Sequence, residues 1–274
     1  MISLSFHTLF TMPYPEASVG NATAMTACTL GNDPYVAFLA QTGGADLVSY
    51  VTVDLSQVVD QRSLGSGQPL VSGMGYNPVT RRIWTTNTTD QSTRIFAFDP
   101  ETHDVTNDFQ VDESEAYFGG GFGTNGLVFL RSQLNRVELR GMGGALLGER
   151  DYPGRAVTAI SAAPNSWLYG DAENHQLLVV GPLGGIIAEA PAPGPPRATP
   201  AGPDSGLQAV AYNTVLTPAQ VMAILFNLGI TSSDPGPAGP WPGPAPEPWW
   251  NPHLLYVANN SDQTIYGGYF VETP

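Results

Sequence analysis

A closed all-β array of repeated four-stranded sheets is the fold class that this 274-residue chain predicts. Three observations predict it. First, Arg82–Thr102 reads as a hairpin: 83–86 is β-branched and aromatic, 87–92 is a run of turn formers, and 94–98 resumes the apolar alternation until Asp99-Pro100 stops it. Second, strands that follow a polar turn end at Val53, Phe98, Leu139 and Val180, spacings of 45, 41 and 41 residues, and a fifth ends at Phe270, one period plus an insertion later. Third, each period holds four short strands, and a four-stranded sheet cannot bury both faces alone. A period in this range is therefore the signature of a β-propeller, here five-bladed, with six blades the alternative.

In chain order, residues 2–11 alternate Leu4, Phe6 and Leu9 with no partner nearby. They are placed beside the last strand, 265–271, as the outer strand of the final blade, because joining the two ends of the chain removes an open edge. The first blade runs 22–25, 36–40, 48–53 and 58–64, and the second 70–76, 83–86, 94–98 and 105–111. The third runs 117–121, 127–130, 136–139 and 145–150, with Gly119-Gly120-Gly121 suited to a crowded inner position. The fourth runs 157–161, 167–169, 177–180 and 186–190.

The fifth blade is interrupted. Leu207–Asn213 matches Ser72–Asn77, Asn251–Val257 matches Asn77–Trp84, and residues 214–250 have no counterpart in the other blades. That insertion opens with a helix: Thr217 is an N-cap, Pro218 suits the first helical position, and Val221, Ile224, Leu225 and Leu228 share one face before Gly229. A polyproline-type arm carrying Trp241, Trp249 and Trp250 follows, and Pro191, Pro193, Pro195 and Pro196 form a second proline-rich loop into the same blade. The whole of 1–274 reads as one propeller domain.

Composition narrows the function classes. Ten Arg, no Lys and 24 acidic residues give a formal charge of −14, and nucleic acid or an anionic membrane needs cations to displace counterions, so neither is expected as a partner. No window reaches the ~18 apolar residues of a membrane span. The N-terminus lacks a basic segment followed by an uninterrupted apolar one, so no signal peptide is expected. Cys28, the single cysteine, reads as an inert buried thiol.

Candidate sites are few. The turns joining second to third strands supply Asp46, Asn87, Asp90, Asn135, Asp171, His175, Asn259 and Asp262 to one rim, where such residues suit a sugar or a cation, or simply cap tight hairpins. Asp112 and Glu115 lie in one loop between blades and offer the two acids of a glycoside hydrolase. Against hydrolysis, the predicted inner strands hold no carboxylate. His7, His103, His175 and His253 fall in different units without ligand spacing, and no nucleophile elbow, P-loop or dinucleotide fingerprint is present, so no metal or cofactor is expected.

Tyr76–Trp84 and Ile95–Thr102 resemble the repeats of NHL and YVTN-like β-propellers, a likeness that implies a fold over nearly the whole chain except 214–250 and leaves function open. Val210–Phe226 resembles the tail of laminin-G-like lectin modules of phage tail and bacterial surface proteins. A propeller body that begins at residue 2, inner strands without catalytic groups and an arm of helix, proline and tryptophan point to a non-enzymatic assembly or attachment protein, a phage virion component in the tail or on the capsid, or one at an extracellular surface. Val221, Ile224, Leu225 and Leu228 with Trp241, Trp249 and Trp250 would dock on a neighbouring subunit, or else fold back over their own blade. A carbohydrate-binding propeller using the polar rim is the second reading, and a glycoside hydrolase the third.

Overall fold

The computed structural model describes residues 2–15, 21–42, 45–66, 71–88, 93–111, 117–123, 126–131, 136–141, 143–151, 157–163, 166–181, 185–196, 206–230 and 253–273. Among them are twenty strands and one helix. After β1 (Ile2–Pro13), four strands form one antiparallel sheet: β2 (Asn21–Leu30), β3 (Asp33–Thr42), β4 (Ala45–Thr52) and β5 (Val58–Ser66). The next sheet holds β6 (Val71–Asn77), β7 (Arg82–Thr88), β8 (Thr93–Phe98) and β9 (Val105–Val111), and the third β10 (Tyr117–Gly123), β11 (Gly126–Arg131), β12 (Arg136–Arg140) and β13 (Leu146–Asp151). Then come β14 (Val157–Ala163), β15 (Ser166–Asp171), β16 (Gln176–Val180), β17 (Ile186–Pro191) and β18 (Leu207–Tyr212), the helix α1 (Pro218–Asn227), and β19 (Leu255–Asn259) and β20 (Thr264–Glu272).

The first strands of the units, β2, β6, β10, β14 and β18, contact one another in that order, and β18 returns to β2. Cores lie between neighbouring sheets. Cys28, Leu39, Tyr50, Met74, Ile83 and Phe98 fill the space between the first two, and Leu4, Leu177, Val179, Tyr212, Val257 and Phe270 fill a space on the opposite side of the ring. Cys28 is fully buried, and burial pushes its thiol pKa far up, as its sequence setting predicts. Side-chain hydroxyls bridge adjacent first strands: Thr26 Oγ1 accepts from Tyr76 N at 3.2 Å, and Ser161 Oγ from Tyr212 N at 2.9 Å.

Register repeats from unit to unit. One extra residue enters each first strand, with shifts between Ala22 and Ala24, Val71 and Gly73, Phe118 and Gly120, Val157 and Ala159, and Leu207 and Ala209. A second shift marks each outer pair, at Tyr50/Val51, Phe96/Ala97, Leu139/Arg140 and Val179/Val180. Bulges bend a strand and raise its right-handed twist, which a short sheet radiating from an axis requires.

β1 carries the same outer-pair bulge. It runs antiparallel to β20 from Leu4↔Glu272 to Pro13↔Thr264, and its register shifts between Thr8 and Phe10, opposite Gly268 and Gly267. The N-terminal strand is thus the fourth strand of the last unit, as expected. One feature was not expected: Ile2 and Ser3 also pair in parallel with Ala188 and Glu189 of β17, so the last two units merge into a single eight-stranded sheet. A two-residue parallel bridge leaves no periodic trace in a sequence.

Turns within each unit alternate between two rims. Those joining first to second and third to fourth strands emerge at one rim, and those joining second to third at the other. α1, inserted between the first and second strands of the last unit, lies on the former. Recurrent Asx turns shape both: Asn77 Oδ1 accepts from Val79 N and Thr80 N, Asp99 Oδ1 from Glu101 N and Thr102 N, and Asp171 Oδ1 from Glu173 N and Asn174 N. Four residues after these Asx positions, and again after Asn259, the chain turns left-handed at Arg81, His103, His175 and Gln263.

Gly268 sets how closely β1 approaches. A Cβ there would collide with the His7 carbonyl oxygen and the Phe6 ring, whereas nothing lies within 4 Å of one added at Gly185. Gly268→Ala is therefore expected to cost roughly 3 kcal/mol, the upper part of the overpacking range, and Gly185→Ala to leave stability unchanged. Denaturant midpoints of the two variants check this, and a Gly268→Ala protein as stable as its parent contradicts it.

Candidate functional site

The polar rim expected to hold a ligand is occupied by its own turns. Asp46, Asp171 and Asn259 are 1%, 0% and 0% exposed, so they cannot face a glycan. Asp171 caps its hairpin and also accepts from Asn174 Nδ2 at 2.9 Å. Asn259 Nδ2 donates to the carbonyls of Pro193 and Pro195, both at 3.2 Å, and His175 Nε2 lies 3.0 Å from Gly194 O, so these two residues pin the proline-rich loop. Asp262 is exposed and accepts from the Tyr266 hydroxyl, whose pKa is pushed up to about 12 by desolvation first and by this carboxylate second. Asp90, Asn135, Asp112 and Glu115 lie outside the described residues, as does the Asn87 side chain. At Asp171 and Asn259 the sequence signal for a ligand rim was the chemistry of tight turns.

The described part of the ring's middle is narrow. Thr23, Ala24, Met25, Met74, Ile160, Gln208, Ala209 and Val210 face one another there and leave no room for a water molecule. These side chains include no carboxylate, imidazole or thiol. Among the described residues, no cluster of three or more His, Cys, Asp or Glu is placed to hold a metal ion.

α1 forms where the sequence places it. Thr217 Oγ1 accepts from Gln220 N at 3.3 Å while Gln220 Oε1 accepts from Thr217 N at 2.8 Å, a full capping box. Its expected docking face, however, is turned inward. Val221 and Leu225 are 1% and 2% exposed and join Leu216, Leu254, Tyr256, Val51 and Leu55 in one core, with Ile224 packed against them. That core lies between the first and last sheets, where the two ends of the chain meet. Asn213 Nδ2 donates to Tyr256 Oη at 3.3 Å and Tyr256 Oη donates to Val53 O at 2.8 Å, tying the base of the insertion to the first sheet. Val221, Ile224 and Leu225 are therefore structural, since exposing them would open the seam. Leu228 stays exposed, and Trp241, Trp249 and Trp250 lie outside the described residues.

Sequence reasoning missed Met222 and Phe226, on the flank of the same helix. Met222 and Phe226, one turn apart, are 51% and 74% exposed, and Leu228 is 47% exposed. The helix carries no charged residue. The other large apolar residues exposed among the described ones are Val59, Val79, Val105, Leu146 and Leu147. Val79 lies in the β6–β7 turn, and the rest open β5, β9 and β13 just after third-to-fourth turns, so all belong to the rim that bears α1. Each is unremarkable singly. The signal lies in their common side, which only the topology reveals.

Burial lowers the pKa of two imidazoles near this rim. His253 is packed 4.9 Å from the Tyr212 ring, and burial lowers its pKa to about 4. His103 lies with Nε2 2.9 Å from the Tyr50 hydroxyl, its pKa lowered by burial first and by Arg62 second.

This arrangement defines a class: radial four-stranded sheets closed by the N-terminal strand make a β-propeller. The comparisons agree on the fold. Glutaminyl cyclase of Myxococcus xanthus superposes with a TM-score of 0.62 at 11% identity, over 100% of this chain and 99% of that one. The WD40 β-propeller domain of Doa1 superposes with a TM-score of 0.50 at 9% identity, over 98% of this chain and 97% of that one. No protein-family model and no curated protein matches the sequence.

Because the unfolded chain binds a proton at the ordinary histidine pKa near 6.5 and the folded His253 only near 4, stability is complete above pH 6.5 and falls as the pH drops toward 4. Melting temperature measured between pH 7 and pH 5 should decline in the parent and decline less in His253→Phe. Equal slopes would contradict the assignment.

Proposed function

We propose that the chain is a non-enzymatic assembly or attachment protein that docks on another protein subunit through the rim bearing α1. One observation carries the reading: all eight large apolar side chains exposed among the described residues lie on that rim, three of them on the helix and its cap. Exposed apolar side chains gathered on one side of an otherwise acidic body suit an interaction surface. The docking residues are Met222, Phe226 and Leu228, in place of the buried Val221 and Leu225. Trp241, Trp249 and Trp250 lie in the proline-rich sequence after α1 and would supply aromatic anchors, since few anchors can dominate affinity.

The body is read as five blades, the eight-stranded sheet being two blades joined edge to edge by β1. The setting proposed is a virion, in the tail or on the capsid, or an extracellular surface, supported by the likeness of Val210–Phe226 to laminin-G-like modules and by the acidic, lysine-free composition. The likeness to glutaminyl cyclase is one of fold.

Light scattering tests the docking rim. The parent should associate, with itself or with particles from its native source, and a Met222→Asp/Phe226→Asp variant should lose at least tenfold in association, about 1.4 kcal/mol, at unchanged melting temperature. Equal masses for both proteins, with neither bound to native particles, would overturn the reading.

A further inference from the structure

A cleft of about 290 Å³ with mixed polar and apolar lining opens on the same rim, over the ends of three adjacent first strands, β18, β2 and β6. Three separate units build it. The β2–β3 turn brings Thr29 and Asn32, the β6–β7 turn brings Tyr76 and Arg81, and the start of the insertion brings Thr214 and Val215. Its size falls near the lower end of small-ligand sites.

Charge distinguishes this cleft. Arg62, Arg82, Arg136 and Arg140 each pair with a carboxylate of their own sheet. Arg81 has no such pair among the described residues, although the chain carries 24 acids; its backbone N–H donates to Asn77 O at 2.8 Å, and its side chain is exposed at the cleft. The side chains of Asn32 and Thr214 are likewise without hydrogen-bond partners among the described residues. Thr29 and Tyr76 share one hydrogen bond at 2.6 Å between their hydroxyls, which leaves further acceptor and donor capacity facing the cleft. The nearby Glu101 is turned to Gly31 N, which it accepts at 2.7 Å. Unused donors of three kinds therefore converge on one concavity with a single positive charge and an apolar wall at Val215.

The geometry points to a binding site for a monovalent carboxylate, held by the Arg81 guanidinium with Asn32 and Thr214 as flanking donors and with its carbon chain against Val215. A planar guanidinium matches a carboxylate with two parallel hydrogen bonds, and one charge suits a monoanion better than a phosphate. The carboxylate belongs either to a small acid or to the free C-terminus of a polypeptide.

Amide chemical-shift titration of the full chain decides the matter, with N-acetylglycine, a tetrapeptide acid (acetyl-Gly-Gly-Gly-Phe) and the amide of the same tetrapeptide as probes. Both acids should shift the amides of Thr29–Asn32 and of Thr214, and the peptide amide should not. Arg81→Gln should weaken both acids at least tenfold, Thr214→Val should weaken them less, and Met222→Asp/Phe226→Asp should leave them unchanged, which separates this site from the docking rim. A peptide acid at least tenfold tighter than N-acetylglycine assigns a chain end, and equal affinity assigns a small acid. Binding of the amide equal to that of the acid, tighter binding of inorganic phosphate, no shift with either acid, or an Arg81→Gln protein that binds as the parent does would each overturn the inference.

Discussion

The pairing of β1 with β20 is the contact on which the rest of the molecule depends. Residues more than 250 positions apart in sequence lie side by side from Leu4↔Glu272 onward, so the ring cannot close until both ends of the chain are in hand. Two glycines make the approach close enough, because the β1 bulge falls opposite Gly267 and Gly268. Further bonds secure the seam: Thr273 N donates to Ser3 O, and Asn260 Oδ1 accepts from both the Tyr14 hydroxyl at 2.7 Å and Ala22 N at 2.9 Å. A sheet edge left open there would be a row of unpaired backbone groups.

Seen from this closure, α1 has a structural duty before any functional one. Its inward face completes the core between the first and last sheets, and its outward face is free to be apolar because the fold does not use it. The same division runs through the polar residues. Asn77, Asp99 and Asp171 are consumed by Asx turns, Thr26 and Ser161 by links between first strands, and Asn259 and His175 by the proline-rich loop. Among the described residues, the exposed large apolar side chains and the unpaired donors around Arg81 lie on one rim. Function is assigned to that rim by this remainder.

Much of the architecture was legible from the residues. The hairpin at 82–102 and its recurrence placed every strand of the first four units, and Thr217, Pro218 and Gly229 placed the helix, because turn chemistry and capping are local. The site was less legible. Whether Asp46 or Asp171 faces solvent depends on how a neighbouring turn packs, and both proved buried. Periodicity identified Val221, Ile224 and Leu225 as an apolar face without saying what covers it, and the chain's own seam does. Met222 and Phe226 stood in the same sequence, yet an apolar residue at an unexpected helical position carries meaning only once the buried face is known. Arg81 gave no signal, since its lack of a partner among the described residues is a fact of three dimensions.

The central claim is that the N-terminal strand is an integral fourth strand and not a loosely attached edge. Native-state hydrogen exchange measures this directly. If the claim holds, backbone amides of β1 that bond to β20 exchange with the same free energy as those of the buried strand β2, through global opening of the ring. Amides of β1 that exchange by local fraying, while β2 stays protected, would contradict it.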